Sequence, residues 1–371
     1  MLKPTNHQQN GRAHDNPSIS NFARRLLVEW KRLHLPIDDA NVVLAVSGGA
    51  DSTALLLAVD ELIKTNKLSV GVTVAHLNHG LRGEQGEHDA CWVKERSQQL
   101  GYDAVLEHVN VRERAIENND NLEQAARRAR YQFLLEVAVG LNAVAVFTAH
   151  TMEDQAETVL LRLMRGSGIE GLSGINAVRV LDNKRQILLV RPLLRWARRA
   201  DTESHCHDLG VSFRADALNE DESFNRVRVR KQLLPLMKTF NPRIVETLSR
   251  TSRLLQKDSS ALEIQAQELL SEARTEEGNV TKALRTDVLA VALESVRRRA
   301  LRQWIKDQRG DTRRLELVHL MAVEKLVFGE RGGRIAELPG GSFVTINKGQ
   351  LLFHPHDEKT CGSDLEGGVN R

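Results

Sequence analysis

Between residues 21 and 215, short runs of apolar residues alternate with longer stretches in which apolar positions recur every three or four residues. The apolar runs lack the polar alternation of a half-exposed strand, which is typical of strands buried on both faces of a parallel sheet. The periodic stretches between them predict helices that cover those faces. The predicted strands are residues 41–46, 68–76, 104–111, 143–149 and 187–190, and the predicted helices are residues 50–64, 84–100, 122–140, 150–165 and 195–209. This pattern predicts an α/β fold with a Rossmann-like parallel sheet of about five strands.

The pattern changes after residue 215. Residues 225–310 are predicted to be helical almost throughout, with breaks at Pro235 and Pro242. Paired glycines and short apolar runs predict a small β element between residues 331 and 354. The predicted segments are a disordered tail at 1–20, the α/β domain at 21–215, a helical domain at 216–310, a small C-terminal element at 311–356 and a loose tail at 357–371.

Composition narrows the class of protein. The chain has 371 residues, of which 41% are hydrophobic and 27% charged, as in ordinary globular proteins of two or three domains. Its three cysteines (Cys91, Cys206 and Cys361) form no CxxC pair, which argues against a disulfide framework or zinc ribbon and indicates a reducing cytoplasm. No stretch reaches the ~18 consecutive apolar residues of a membrane span, and the polar N-terminus lacks the apolar core of a signal peptide. We therefore expect a cytoplasmic protein without a membrane partner.

A glycine-containing segment directly follows the first predicted strand and opens the first predicted helix. We call it the phosphate loop, and it consists of Ser47, Gly48, Gly49, Ala50, Asp51 and Ser52. The two glycines let backbone N–H groups approach an anion closely, and the start of the helix adds unpaired donors and a positive dipole end. Asp51 would repel phosphate unless a cation lies between them, so it is a candidate Mg²⁺ ligand. An ordinary capped helix start is the alternative, but the complete pattern favours a phosphate site.

Polar side chains also follow the second and fourth predicted strands. His76 and His79 lie three residues apart, but no matching Cys/His pair is near enough to indicate zinc, so we expect substrate contacts. His150 precedes Asp154 and Glu157, whose spacing on a helix projects two carboxylates together. Such a pair can hold a cationic ligand and act as a base.

Charged residues mark three further stretches. Glu123, Arg127 and Tyr131 share one face of a predicted helix, where a solvated, salt-bridged face is the alternative to a functional one. Two basic stretches in the C-terminal half are of the kind that binds nucleic-acid phosphates, although solvated helix faces would look the same. The first comprises Arg226, Arg228, Arg230, Lys231, Lys238 and Arg243, and the second comprises Arg297, Arg298, Arg299, Arg302, Lys306, Arg309, Arg313 and Arg314.

The phosphate loop lacks the GxxxxGK[ST] pattern of a Walker A motif. Its SGGxDS sequence resembles that of the PP-loop ATP pyrophosphatases. That resemblance implies that ATP is split between its α and β phosphates to adenylate a substrate, with pyrophosphate leaving.

Further motifs, in order along residues 40 to 245, make the chain similar to the tRNA(Ile)-lysidine synthetase family. They are AHLNHGLR at 75–82, ExxARxxRY at 123–131, AHxxxDQxET at 149–158, RGSG at 165–168, GLSG at 171–174, RPLL at 191–194 and a basic segment at 216–242. Three positions depart from the family pattern: Thr151 replaces a second histidine, Leu218 a serine and Val227 an asparagine. None of them touches the phosphate loop, Asp154 or Glu157, so we do not expect a dead enzyme.

The resemblance implies a reaction in which a wobble cytidine of CAU-anticodon tRNA(Ile) is adenylated with ATP and Mg²⁺ and then joined at carbon 2 to free L-lysine. It implies that residues 21–215 form the ATP-binding catalytic domain and that residues 216–310 bind tRNA. Asp154 and Glu157 would bind the amine and accept its proton, and Arg127 would stabilise phosphate charge. The candidate substrate and tRNA contacts are His76, His79, Arg82, His150, Arg165, Arg191, Arg226, Arg228 and Arg230. The oligomeric state stays open, a homodimer included.

Four alternatives are less well supported. A PP-loop tRNA thiolase needs cysteines near the site, and only Cys91 lies in the catalytic half outside its last helix. An amidotransferase-coupled synthetase of NAD or GMP would not call for two basic stretches. A tRNA-binding relative without catalysis would not need Asp51, Asp154 and Glu157. A metal site at residues 205–207 is weak, because adjacent residues on a helix do not converge.

Overall fold

The computed structural model describes residues 19–214, 225–275, 283–329 and 335–356. Two compact units are present, Met1–Arg253 and Leu254–Arg371. The tails predicted from the sequence lie outside the described residues, apart from Ile19 and Ser20. Ser20 belongs to the fold, because its Oγ caps the first helix by accepting a hydrogen bond from the backbone of Ala23 at 3.1 Å.

The first unit contains a six-stranded sheet in the order β3-β2-β1-β4-β6-β5. β1 to β4 and β6 run parallel, and β5 pairs antiparallel with β6 at the edge. The strands are β1 (Asp38–Ala45), β2 (Ser69–Asn78), β3 (Asp103–His108), β4 (Ala145–Phe147), β5 (Val178–Asp182) and β6 (Ile187–Val190). The predicted α/β fold class is confirmed, and β5 is an additional strand that the apolar pattern did not predict.

Burial on both faces explains why the strands read as continuous apolar runs. Val42 and Leu44 point into one core with Trp30 and Phe147, whereas Val43 points into the core on the opposite face. The rings of Trp30 and Phe147 stack with centroids 4.6 Å apart. The helices of this unit are α1 (Asn21–Arg32), α2 (Ala50–Lys64), α3 (Glu84–Leu100), α4 (Val111–Glu117), α5 (Leu122–Gly140), α6 (Met152–Met164), α7 (Ile169–Leu172), α8 (Arg199–Asp208), α9 (Asn225–Arg228) and α10 (Leu234–Phe240).

Pro235 does not break the helical segment that contains it. A π-helical turn, Val229–Leu233, connects α9 to α10, and the Leu234 N–H bonds to Val229 O. The wider turn brings Pro235 into the first turn of α10, where its missing N–H costs no helical hydrogen bond. Pro242 does mark a break, because α10 ends at Phe240 and α11 (Ile244–Ala273) begins after it.

The second unit combines helices with a small antiparallel sheet in the order β7-β10-β9-β8. Its core surrounds Trp304, which is fully buried and meets Phe353 edge-on at 6.2 Å between centroids. The elements are α12 (Thr286–Val291), α13 (Glu294–Arg309), α14 (Leu317–Val327), β7 (Ala283–Arg285), β8 (Ile335–Glu337), β9 (Phe343–Asn347) and β10 (Gln350–His354). The β element predicted between residues 331 and 354 is present, but β7 interrupts the stretch predicted as helical. The division between the units falls within α11.

The predicted domain boundaries stay predictions, since the compact units do not test which segment binds tRNA. Among the described residues, no helix is both long enough and apolar enough to cross a membrane.

Candidate active site

A pocket of about 430 Å³ opens at the carboxyl ends of β1, β2 and β4. β1 lies between β2 and β4, so the strand order reverses here, and doubly wound sheets bind ligands at such a switch point. The volume is in the range of small-ligand sites. Its polar lining includes Ser47, Asp51, His76, His79, Arg82, Arg130, Tyr131, His150, Asp154, Arg199, Arg226 and Arg230. The fold therefore gathers most of the predicted site residues in one cavity.

The phosphate loop begins directly after β1 and leads into α2. Gly48 has a φ of +90°, a backbone conformation that glycine adopts without strain. Gly49 is the N-cap of α2 and offers no side chain to its first N–H groups. The Ser52 hydroxyl closes the loop, since it accepts from Ser47 N at 3.1 Å and donates to Gly49 O at 3.1 Å. The loop is thus a preformed turn with helix N–H groups available to an anion.

Asp51 lies in the first turn of α2 and lines the pocket. Its Oδ1 accepts a hydrogen bond from Thr202 Oγ1 at 2.5 Å, and its Oδ2 is 3.9 Å from Nε of Arg199. Burial, with a contribution from the neighbouring carboxylate of Asp154, raises the pKa of Asp51 to about 6. A carboxylate that is costly to ionise here gains from an added cation, so its position fits a metal ligand.

Asp154 and Glu157 lie one helical turn apart on α6, and their side chains meet three guanidinium groups. Arg226 binds both carboxylates, with Nη2 2.9 Å from Asp154 Oδ1 and Nε 2.7 Å from Glu157 Oε2. Glu157 Oε1 accepts from Arg230 Nε at 2.8 Å and from Arg199 Nη2 at 3.0 Å. We call these five residues the carboxylate–arginine cluster. Its three arginines exceed its own two carboxylates by one, and Asp51, 3.9 Å from Arg199, supplies a further carboxylate beside them.

The start of α6 holds Asp154 in place. Its Oδ2 accepts from the backbone N–H of Thr151 at 2.8 Å and from the Thr151 hydroxyl at 3.3 Å. The expectation that none of the three departures from the family pattern touches Asp154 is therefore wrong for Thr151. Burial alone would raise the pKa of Asp154, but the charges of Arg226 and Arg199 hold that pKa well below its usual range. Asp154 is therefore ionised at neutral pH and is a weak proton acceptor.

The three predicted histidines that line the pocket are neutral at pH 7. His76 Nδ1 is 2.8 Å from Val46 O, and burial lowers the pKa of this imidazole. Burial also lowers the pKa of His79 to about 4 and that of His150 to about 3. Neutral imidazoles can both donate and accept hydrogen bonds, which suits contact with an uncharged base.

Eight predicted residues are absent from the described lining of the pocket, namely Gly48, Gly49, Ala50, Glu157 and four arginines. Arg165 and Arg228 are exposed. Arg127 places its guanidinium 5.0 Å above the ring of Tyr131. Arg191 is 2% exposed and donates to a backbone carbonyl at 2.7 Å and to the Tyr131 hydroxyl at 3.3 Å. These four arginines therefore lie outside the described lining, although Arg127 and Arg191 contact Tyr131, which belongs to it.

Arg82 is fixed beside the phosphate loop. Its Nη1 is 2.6 Å from Asp89 Oδ2, and Arg214 Nε is 2.9 Å from Asp89 Oδ1. The backbone N–H of Arg214 donates to Gly48 O at 2.9 Å. A single carboxylate therefore holds two arginines next to the loop, one of which, Arg214, the sequence pattern did not indicate.

Arg199 and Thr202 belong to the site but were not predicted. Both lie on α8, where Arg199 contacts the cluster carboxylates and Thr202 binds Asp51. A signal was available, since α8 follows the predicted strand at 187–190 and the carboxyl end of that strand borders the same crevice.

Most of the described arginines in the second basic stretch form ion pairs within the second unit. Arg297 Nη2 is 2.8 Å from Glu324 Oε1, and Arg298 Nε is 2.6 Å from Glu324 Oε2. Arg299 Nη1 is 3.4 Å from Glu263 Oε2. Arg297 and Glu324 are both buried. The interpretation of this stretch as a phosphate-binding surface is therefore wrong for Arg297.

Residues 205–207 do not form a metal site. The His205 ring stacks on Phe22 with centroids 4.5 Å apart, and Cys206 Sγ points to the Ala50 carbonyl at 3.6 Å. In the part of the chain that the structure describes, no group of three or more His, Cys, Asp or Glu residues could hold a metal ion. Cys91 is exposed on α3, away from buried Cys206.

Known proteins match the part of the chain that carries the candidate site. The PP-loop domain family matches residues 20–237, which include the phosphate loop and the carboxylate–arginine cluster. A tRNA(Ile)-lysidine synthase of Salinispora tropica is 38% identical over 331 residues, which cover 89% of this chain and 95% of that protein. The chain belongs to the tRNA(Ile)-lysidine synthase family. The resemblance predicted from the motifs is confirmed.

Other relatives are longer than this chain. The tRNA(Ile)-lysidine synthase of Geobacter sulfurreducens is 37% identical over 84% of this chain and 64% of its own length. That of Thermus thermophilus is 36% identical over 85% of this chain and 57% of its own length. The chain therefore spans 64% of the first of these two proteins and 57% of the second.

A solved structure shares the fold. The U34-tRNA thiolase of Methanococcus maripaludis with its [4Fe-4S] cluster superposes with a TM-score of 0.53 over 63% of this chain and 78% of that chain. Its sequence identity of 15% supports a common fold and no common reaction.

Proposed function

We propose that the chain ligates free L-lysine to carbon 2 of the wobble cytidine of tRNA(Ile) with a CAU anticodon. The cytosine carbonyl oxygen attacks the α-phosphate of ATP and pyrophosphate leaves; the lysine amine then attacks carbon 2 of the adenylated base and AMP leaves. The observation that carries this proposal is that the phosphate loop and the carboxylate–arginine cluster border the same pocket. Relatives named tRNA(Ile)-lysidine synthase support the same reaction.

The phosphate loop and Asp51 fit ATP with Mg²⁺. The open N-terminus of α2 can donate to phosphate oxygens, and Asp51 gains from a nearby cation because burial raises its pKa. We propose that Asp51 is the protein ligand of Mg²⁺ and that phosphate oxygens supply others. When bound, the ion would neutralise charge on the phosphates.

The carboxylate–arginine cluster can serve the second half of the reaction. The side-chain amine of lysine has a pKa near 10.4, so about one molecule in a thousand is neutral at pH 7, a cost of roughly 4 kcal/mol. Asp154 lines the pocket, whereas Glu157 is completely buried against three guanidinium groups. We assign the binding of the lysine ammonium to Asp154 and the fixing of the three arginines to Glu157. The low pKa of Asp154 suits charge binding better than the role of a base that the sequence suggested.

The neutral histidines are our candidates for holding the cytosine. A base that reacts inside a pocket must first leave its stack, and its edge is then read by hydrogen bonds. His79 and His150 line the pocket and are uncharged at pH 7. They can therefore bind the edge of the base and do not attract the phosphates. Exposed Arg165 and Arg228 remain proposed contacts of the tRNA backbone.

Incorporation of labelled lysine into a CAU-anticodon tRNA(Ile) transcript, with ATP and Mg²⁺, tests this function. A tRNA(Met) transcript with the same anticodon is the control, and we expect only the first to be labelled. Asp154→Asn should abolish labelling, while Asp103→Asn, an exposed change at the amino end of β3, should not.

The outcomes separate the two half-reactions. Pyrophosphate release without labelling would keep the adenylation and show that lysine is the wrong nucleophile. If neither label nor pyrophosphate appears with the wild-type protein, the proposed function is refuted. Equal labelling by wild-type protein and Asp154→Asn would remove Asp154 from the mechanism.

A further inference from the structure

Tyr131, on α5, is surrounded by guanidinium groups. Cζ of Arg127 lies 5.0 Å and Cζ of Arg179 lies 4.7 Å from the centroid of its ring. The buried Arg191 donates to its hydroxyl at 3.3 Å. Burial alone would raise the pKa of this phenol, but the three arginines lower it, which shows how concentrated the positive charge is. We call Arg127, Tyr131 and Arg179 the arginine–tyrosine platform.

The charge of the platform is not neutralised by the part of the protein that the structure describes. No carboxylate in that part forms an ion pair with Arg127 or Arg179. Burial lowers the pKa of Arg191, and the charges of Arg179 and Arg127 lower it further. Burial and the charges of Arg127 and Arg165 likewise lower the pKa of Arg162. An anion bound here would relieve this mutual repulsion.

Stacking leaves the platform able to bind an anion. A guanidinium that lies over an aromatic ring uses its face, and the N–H groups around its planar edge stay free to donate. Arg127 and Arg179 are both exposed, so these edges reach solvent. Paired N–H donors on a planar guanidinium match the oxygens of a phosphate.

The platform adjoins the pocket. Tyr131 lines the pocket, whereas Arg127 and Arg179 do not appear among its described lining residues. A nucleotide whose base is turned into the pocket keeps its backbone outside. The flanking phosphate therefore falls at the rim of the pocket, where the platform stands.

We infer that Arg127 and Arg179 bind a phosphodiester group of the substrate RNA next to the nucleotide that reacts. This inference rests on the proposed function, and it moves Arg127 from the chemistry of adenylation to the grip on the RNA. ATP is the other source of phosphate. β4 and β6 separate β5, which carries Arg179, from β1, which leads into the phosphate loop. At about 4.8 Å per strand the two lie roughly 14 Å apart, which favours RNA.

The test is the salt dependence of tRNA(Ile) binding, measured by filter binding. Arg179→Gln keeps the length of the side chain and removes its charge, and Arg185→Gln, in the turn at the other end of the same hairpin, is the matched control. Each lost phosphate contact should weaken binding and lower the slope of log K against log salt by about one. We expect this for Arg179→Gln and Arg127→Gln, and no change for Arg185→Gln.

The double variant Arg127→Gln/Arg179→Gln extends the test. A slope lowered by about one would mean that both arginines share one phosphate, and about two that each binds its own; both outcomes support the inference. Wild-type affinity and slope in Arg179→Gln overturn it. A raised KM for ATP with unchanged tRNA affinity also overturns it, because the anion would then be the nucleotide.

Labelling of tRNA(Ile) with lysine by the wild-type protein is measured in parallel. If the wild-type protein labels the tRNA while Arg179→Gln binds it normally, only the inference fails. If the wild-type protein does not label it, the proposed function fails independently. Arg179→Lys, which keeps the charge, should retain the wild-type slope and thereby separates loss of charge from misfolding.

Discussion

Both units bury a carboxylate against several arginines, but the arginines face different surroundings. In the second unit, Glu324 is shared by Arg297 and Arg298, and the pair with Arg297 is enclosed by protein. In the first unit, Asp154 and Glu157 share three arginines that line an open pocket. The local chemistry is the same, so it does not identify function. The difference is whether the charged groups line a cavity that a ligand can enter.

The energetics of the two clusters also indicate a structural role for the cluster in the second unit and a functional role for the one in the first. Burying an ion pair costs desolvation that the mutual attraction roughly repays, so Glu324 with Arg297 is weak evidence of anything beyond packing. The carboxylate–arginine cluster instead lines a pocket through Asp154 and its three arginines, and Asp51, with a pKa raised to about 6, lines the same pocket. Titratable groups in a cleft whose pKa values are shifted by burial and by charged neighbours are typical of functional sites.

Removing the buried carboxylate of each cluster should have the largest effect. Glu157→Gln and Glu324→Gln each leave buried guanidinium groups without a full partner, which costs about 3–5 kcal/mol of unfolding free energy. Urea unfolding measures this loss. Glu157→Gln should also abolish lysine incorporation per folded molecule, whereas Glu324→Gln should not.

A double change distinguishes the two clusters further. Arg297→Met/Glu324→Met should restore stability to near the wild-type value, because a well-packed apolar pair replaces a buried ion pair at little cost. If Glu324→Gln lowered turnover of the folded protein as strongly as Glu157→Gln, the distinction between a structural and a functional cluster would fail.

Asp51→Asn should change the free energy of unfolding by less than Glu157→Gln and Glu324→Gln do, and it should raise stability where they lower it. The pKa of Asp51 is about 6 in the folded protein, against 3.8 for an ordinary aspartate, as in the unfolded chain. The folded state therefore binds this proton more tightly, and stability falls as pH rises from about 4 to about 6. Asparagine does not ionise, so the variant should be more stable than wild type by about 3 kcal/mol at pH 8 and equal to it near pH 4. Urea unfolding at both pH values, without nucleotide or Mg²⁺, measures this.

Activity completes the test of Asp51. The stabilised variant should have lost adenylation, measured as pyrophosphate release, because the strained carboxylate is our proposed Mg²⁺ ligand. Lower stability than wild type at pH 8, or retained pyrophosphate release, would contradict this assignment.

The smallest effect is expected for Arg298→Gln. Arg298 already contacts Glu324 and Glu294 within the second unit, so its loss should leave tRNA affinity and salt dependence unchanged. Arg228→Gln removes an exposed arginine of the first basic stretch and should lower the salt slope by about one. A lowered slope in Arg298→Gln would restore the second stretch as an RNA surface.

Much of the fold was predictable because it depends on local pattern. Runs such as Val42 to Leu44, buried on both faces, identify a parallel sheet, and the carboxyl ends of its strands then locate the phosphate loop, His76 and Asp154 at one edge. β5 escaped prediction, because its mixed exposure gives no clear apolar period.

The partners of the site residues could not be predicted in the same way. Arg199 lies 45 residues from Asp154 in the chain, and only the packing of α8 on the sheet brings them together. Spacing likewise could not show that Arg297 is neutralised by Glu324, 27 residues away. A basic residue in a sequence therefore marks a charge, and only its tertiary neighbours decide whether that charge is available.

The π-helical turn at Val229–Leu233 sets the rotation of α9 about the helix axis relative to α10. Because each helical residue advances about 100° around the axis, the one extra residue of this turn fixes the direction in which Arg226 projects relative to the helix that follows. Deleting Lys231, which is not among the described lining residues, would rotate Arg226 and Arg230 together relative to α10 and so turn both away from their carboxylate partners. An insertion or deletion in this turn would therefore change the geometry of the active site by rotating α9, which the substitution of a single side chain does not do.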